Sequence, residues 1–283
     1  MNKAKKITAV LGAFALAVTL GGCASVEAPD SSTNEEYINN EITGQYPELN
    51  NPAIPEEGEG GNNTIEVEVP KAKTASYVNV KTEGVNIRSG AGTGYSVRGS
   101  AQKSTMYALN GQTDGWIKTG YKNGTAYISE KYCERVEMPA SDDERIEAII
   151  AEGTKLLGTV YVFGAVRYHD GSGKLLKNFT TSEFDCSSLM QYIFYKGAHV
   201  NLQVNTRTQI YQGKTVTKSQ LKRGDLMFFT NASRKNLSGV ERVGHVALYL
   251  GDNWILHTAS DYAKIEQIST TRWSYFIQGQ RIF

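Results

Sequence analysis

Three cysteines and four histidines carry this chain's options for nucleophilic or metal chemistry. Cys23, Cys133 and Cys186 are too few and too scattered for a disulfide framework or a zinc site, so each stands alone. Cys186 opens the apolar run Cys186-Ser187-Ser188-Leu189-Met190-Gln191-Tyr192-Ile193-Phe194-Tyr195. A thiol in the first turn of a helix sits where a thiolate is favoured. To act as a nucleophile it needs an imidazole to take its proton and a third group to orient that imidazole. His169, in the polar and glycine-rich stretch Arg167 to Lys174, reads as surface loop, and His199 lies in a turn after Gly197. His245 and His257 instead sit inside apolar, strand-like runs, where an imidazole is costly unless hydrogen-bonded or used. The chemistry these residues could do is nucleophilic attack by Cys186, with His245 and His257 as the candidate imidazoles.

The spacing of the two histidines sharpens this. Val243 to Leu250 and Trp254 to Ala259 make a hairpin across Leu250-Gly251-Asp252-Asn253. A two-residue loop would put the imidazoles on opposite faces of the sheet. A loop of odd length centred on Gly251 would set His245 directly opposite His257, with Cβ atoms about 5 Å apart. The competing reading is a pair of hydrogen-bonded core histidines unrelated to Cys186.

The elements that must position these residues are readable in outline. After Met138-Pro139 a helix is expected, with Ser141 as N-cap, Asp142, Asp143 and Glu144 at its positive end, and an apolar stripe from Ile146 to Leu157. A second helix runs from Cys186 to Tyr195, capped by Asp185 or Thr181-Ser182, with Gly197 as its stop. Strands are expected at 225–229, 243–250, 254–259 and 276–283. Helices followed by antiparallel strands make an α+β domain. Between Tyr77 and Glu137 the pattern changes to short alternating segments, with Lys122-Asn123-Gly124-Thr125 as a hairpin signal, which implies a small all-β barrel. There Trp116 reads as core, Tyr95, Tyr107 and Tyr121 as strand filler, and Cys133 as a small buried hydrophobe.

The first 22 residues have a basic start and an apolar run from Ile7 to Leu20, the pattern of a signal peptide and too short for a transmembrane helix. Residues 24–70 hold eleven acidic side chains, no Lys or Arg, and five of the six prolines. They lack a sustained apolar period and read as a disordered tether. The whole chain carries a net charge of +1. Setting the acidic segment and the basic start aside leaves residues 71–283 at about +9, which suits an anionic polymer such as a bacterial wall, although a mildly basic surface far more often serves simple solubility.

Leu20-Gly21-Gly22-Cys23 resembles the bacterial lipobox, which implies that Cys23 is lipidated and that the protein is anchored to the membrane outside the cytoplasm. Val85-Asn86-Ile87-Arg88-Ser89-Gly90 with Asp114-Gly115-Trp116-Ile117 resembles bacterial SH3-like domains. Phe184-Asp185-Cys186-Ser187-Ser188, Arg223-Gly224-Asp225-Leu226-Met227-Phe228-Phe229, Val243-Gly244-His245-Val246 and Trp254-Ile255-Leu256-His257 resemble, in order, the signature blocks of the NlpC family of bacterial cell-wall cysteine peptidases. That resemblance implies a papain-like α+β fold and a triad of Cys186 as nucleophile, His245 as base and His257 as the orienting residue. It further implies Tyr161 near the oxyanion or substrate, and Asp185, Ser187 and Arg207 in peptide binding. The expected organisation is 1–22 signal peptide, 23–74 lipidated tether, 75–137 SH3-like domain and 142–283 peptidase. The implied reaction is hydrolysis of peptidoglycan stem peptides at the γ-D-glutamyl-diamino acid bond, with no metal or other cofactor, no nucleic acid and a monomer as the default. An amidase cutting at the lactyl-L-alanine bond, and a non-catalytic wall-binding lipoprotein, are the alternatives. Ala165, Ser188, Asn205 and about 17 residues from Arg167 to Glu183 depart from the family pattern, and these departures fall around the expected cleft.

Overall fold

The computed structural model describes residues 73–283. The expectations for the signal peptide, for Cys23 and for nearly all of the tether lie outside the described residues.

Eight short strands form a small β lobe: β1 (Thr74–Val80), β2 (Val85–Arg88), β3 (Val97–Ala101), β4 (Thr105–Ala108), β5 (Gly111–Thr113), β6 (Trp116–Tyr121), β7 (Gly124–Ser129) and β8 (Cys133–Pro139). One sheet runs in the order β3-β2-β7-β6-β5, and β4-β1-β8 lie in a second. Alternation of side chains along these strands puts Val78, Val80, Ile87, Met106, Ile117 and Ile128 into a buried cluster. The β6–β7 turn has positive φ at Lys122 and Asn123, while Gly124 is already paired with Tyr121. It therefore falls one residue before the Asn-Gly position expected from sequence. The amides of Lys122 and Asn123 donate to the carbonyls of Leu157 and Lys155, and this docking against the neighbouring helix decides where the chain reverses. Trp116 and Cys133 are half-buried rather than core, and Tyr95 is exposed between strands.

The remaining chain is α+β: α1 (Glu144–Lys155), β9 (Val160–Tyr161), β10 (Glu183–Phe184), α2 (Cys186–Ala198), α3 (Thr206–Gln209), β11 (Lys214–Val216), β12 (Leu226–Phe229), β13 (His245–Gly251), β14 (Trp254–Ala259), β15 (Tyr262–Gln267), α4 (Thr270–Ser274) and β16 (Phe276–Arg281). Its sheet runs β11-β16-β12-β13-β14-β15 and continues without a break into β4-β1-β8 of the small lobe. Helices α1 and α2 pack on each other, and α2 lies against β13 and β14. Gly197 does not end α2. It lies inside the helix, where an added Cβ would come within 2.5 Å of the Ile149 amide nitrogen, and the helix stops at His199 in the left-handed conformation. The N-cap of α1 is Asp143, whose carboxylate accepts from the Arg145 amide; Ser141 instead accepts from the Asp143 amide one step earlier.

Candidate active site

The start of α2 is fixed by a reciprocal capping box. The Asp185 carboxylate accepts from the Ser188 amide at 2.8 Å, and the Ser188 hydroxyl accepts from the Asp185 amide at 2.9 Å. This places Cys186 at the first helical position, where its backbone N–H has no partner inside the helix. Ser188, two residues after Cys186, is fully buried and occupied by this cap.

Asp185 is also the partner of a residue that the sequence did not single out. Arg167 forms an ion pair with it at 2.8 Å, reaches the Ser187 hydroxyl at 3.3 Å, and donates to the Val204 and Ala165 carbonyls. The Asp185 carboxylate further accepts from the Ser187 hydroxyl and the Gly164 amide, so every direction around it is taken by the protein itself. The segment 167–183 that carries Arg167 is anchored at a few side chains, while 174–178 are exposed. Tyr168 meets Tyr192 of α2 edge-on and Phe179 stacks on it, and His169, expected on the surface, is completely buried beside the rings of Tyr168 and Tyr195.

His245 and His257 meet as the sequence spacing requires, but by a different route. The turn is the two-residue Asp252-Asn253, both with positive φ, and a bulge leaves Leu250 unpaired between Tyr249↔Ile255 and Gly251↔Trp254. A regular two-residue hairpin would have separated the rings. The extra residue restores the common face and makes them diagonal rather than directly opposite neighbours. Nε2 of His245 lies 3.1 Å from Nδ1 of His257. Beyond it, Nε2 of His257 lies 2.9 Å from the Glu266 carboxylate on β15, which in turn accepts from Arg272 at 3.2 Å. Neither β15 nor Glu266 was anticipated, although Tyr262-Ala263-Lys264-Ile265-Glu266 alternates as a half-buried strand should.

Burial, and after it the Asp185 charge, push the Cys186 thiol up to about 12, while the N–H groups of Val246 and Ser187 pull the other way. Burial also drives His245 well below its usual 6.5, with His257 and Arg272 adding to the effect. The resting pair is thus a neutral thiol and a neutral imidazole. The contact from the Val246 amide holds the thiol against the start of β13, next in the chain to His245. Tyr161 borders two hollows: one of about 210 Å³ that includes Cys186, Asp185, Arg167 and Arg207, and one of about 330 Å³ that includes His245 and Arg272. Arg207 is more than a third exposed and lies 3.6 Å from Glu241. The structure therefore gathers Tyr161, Asp185, Cys186, Ser187 and Arg207 around one hollow and sets the histidine pair beside it.

A model of the NlpC/P60 family matches residues 158–281. The Gamma-DL-glutamyl hydrolase of Bacillus subtilis is 27% identical over 173 residues, which is 61% of this chain and 37% of that protein. The Peptidoglycan DL-endopeptidase CwlO of Bacillus licheniformis is 28% identical over 142 residues, 50% of this chain and 28% of that one. The chain thus spans about a third of the length of these curated relatives. Among solved structures, an NlpC/P60 family protein from Bacillus cereus aligns over 74% of this chain and 63% of its own, at 19% identity and a TM-score of 0.39.

Proposed function

We propose, from the match of the NlpC/P60 family model to residues 158–281, that this chain is a peptidoglycan hydrolase, a cysteine endopeptidase that cuts stem peptides at the γ-D-glutamyl-diamino acid bond. The observation that carries the reading is the Cys186 thiol at the N-terminus of α2, met by the backbone amide of Val246, the residue after His245, whose ring is hydrogen-bonded to a second buried histidine. The names of the two Bacillus relatives, a γ-DL-glutamyl hydrolase and a DL-endopeptidase, support the choice of bond.

In the proposed reaction His245 takes the thiol proton as the sulfur attacks the γ-carbonyl carbon. The carbonyl electron pair moves onto oxygen, and the resulting oxyanion is met by the Cys186 backbone N–H, the positive end of α2 and the Tyr161 hydroxyl. His245 then gives its proton to the departing amine as the C–N bond breaks, which leaves a thioester. Water, deprotonated by the same imidazole, attacks the thioester and releases the acid and the thiol. The base must stand over the leaving amine, so the hollow beside His245 takes the diamino acid and the one beside Cys186 takes the glutamyl side. Asp185 acts there by holding Arg167 and Ser187 in place, and Arg207 offers its guanidinium at the rim.

Digestion of purified muropeptides, with new termini identified by mass spectrometry, tests this. A free amine on the diamino acid is expected, and Cys186→Ala should abolish it. A free L-alanine amine with an intact stem would make the protein an amidase, and wall binding without any product, unchanged in Cys186→Ala, would leave a binding protein. We also propose that Cys23 is lipidated and holds the protein to the outer face of the cell membrane. Fractionation of Cys23→Ser should then move it out of the membrane pellet, and a variant that stays membrane-bound would refute the anchor.

A further inference from the structure

A hydrogen bond between two neutral imidazoles can run in either direction, so the 3.1 Å contact of His245 and His257 does not by itself say which ring holds which proton. Glu266 settles the direction. Burial would raise its carboxyl, but the His257 hydrogen bond and the positive charges of Lys264 and Arg272 outweigh it and hold it down to about 2. At working pH it therefore accepts and does not donate. Nε2 of His257, 2.9 Å away, must carry the proton it gives to Glu266. Nδ1 of His257 is then an acceptor, and Nε2 of His245 must be the donor to it. In a neutral ring that leaves Nδ1 of His245 as the unprotonated nitrogen, the lone pair available to the thiol.

We propose that Glu266 is a positioning residue of the catalytic apparatus, a fourth member behind Cys186, His245 and His257, which fixes the tautomer of both rings and steadies the imidazolium formed during attack. This rests on the cysteine peptidase reading above. When the S–H bond breaks and the proton moves to Nδ1 of His245, the positive charge is shared through two aligned N–H bonds toward a fixed carboxylate, which gains no proton itself.

The surroundings of Glu266 fit this role. Its strand β15 is paired on both sides, with Ile255 of β14 and Thr105 of β4 opposite Glu266, so its backbone cannot drift. Arg272 from α4 donates to the same oxygen that faces His257, at 3.2 Å, and Lys264 of its own strand lies 3.8 Å from the other oxygen. Glu266 also borders a separate hollow, together with Lys103, Asp261 and Tyr262. A carboxylate needed only for a surface ion pair has no reason to point an oxygen at a fully buried imidazole.

Two measurements test the assignment. In the wild-type protein, ¹⁵N shifts of the two rings at pH 7 should show Nε2 protonated and Nδ1 unprotonated in both His245 and His257; a proton on Nδ1 of His257 would overturn the proposal whether or not the protein turns over substrate. Kinetics on muropeptides give the second. Glu266→Gln keeps shape and removes charge, and should lower kcat about 10- to 100-fold with little change in KM, the range for groups that act through another residue. It should also move the acidic limb of the pH profile to lower pH, because the imidazolium of His245 loses its carboxylate. Glu266→Asp should recover part of the loss, and Glu266→Gln should add little in a His257→Ala background. A wild-type kcat with an unmoved profile in Glu266→Gln would refute the role. Absence of activity in the wild type would refute the peptidase reading and leave the ¹⁵N result to decide the tautomers.

Discussion

At the scale of single residues, the buried histidines tie stability to pH. Both rings are neutral in the fold because burial lowers their affinity for a proton below the usual 6.5. Below 6.5 the unfolded chain binds protons that the folded chain does not, so stability falls as pH falls toward the lower folded values. Glu266 adds a more acidic limb: its contribution is complete above 4.5 and is lost as pH drops through about 2. Urea midpoints between pH 7.5 and 4 should therefore decline below 6.5, and His257→Asn should flatten the decline; an equal slope in that variant would argue against a neutral buried ring. Cys186, His245 and His257 were legible in the sequence because their types are rare and out of place in apolar runs. Arg167 and Glu266 were not, because charged residues are common and only a tertiary partner distinguishes one that is used from one that faces solvent.

At the scale of elements, caps and bulges decide what the residues can do. Ser188 closes the capping box of α2, so Ser188→Gly should cost about 1 kcal/mol in urea unfolding. Its preference among stem peptides should stay that of the wild type. A changed preference would mean that Ser188 acts on substrate after all. The hairpin of β13 and β14 shows how far periodicity reaches. Its two strands and the common face of the histidines were readable, but the bulge at Leu250 that produces that face was not. The extra residue leaves no mark in the pattern of apolar residues, since Leu250 is as apolar and as buried as Leu248 two positions earlier. Gly197 misled for the opposite reason: a glycine near a helix end signals a stop, and here it serves close packing against α1 instead.

At the scale of the whole molecule, one guanidinium and one sheet, with the docked β6–β7 turn, join the small lobe to the α+β lobe. Arg223, itself buried, reaches Glu147 of α1 with two hydrogen bonds of 2.6 and 2.8 Å, the Leu250 carbonyl at 2.8 Å and the Tyr77 hydroxyl of β1 at 2.8 Å. Arg223→Met should lower stability by about 3 kcal/mol, since it strands a half-buried carboxylate and two further acceptors. The loss should appear in a single transition followed by both tryptophan fluorescence and far-UV circular dichroism; two separated transitions would mean the lobes unfold independently. The pairing of β4 with β15 carries this union further. A lobe hung on a linker can be exchanged between proteins like a bead on a string, whereas one that lends a strand cannot be removed without baring the sheet edge it covered. In this chain the two lobes of residues 74–283 accordingly share one sheet. Variation in β4, far from the thiol along the chain, is variation one strand away from the carboxylate behind the histidines.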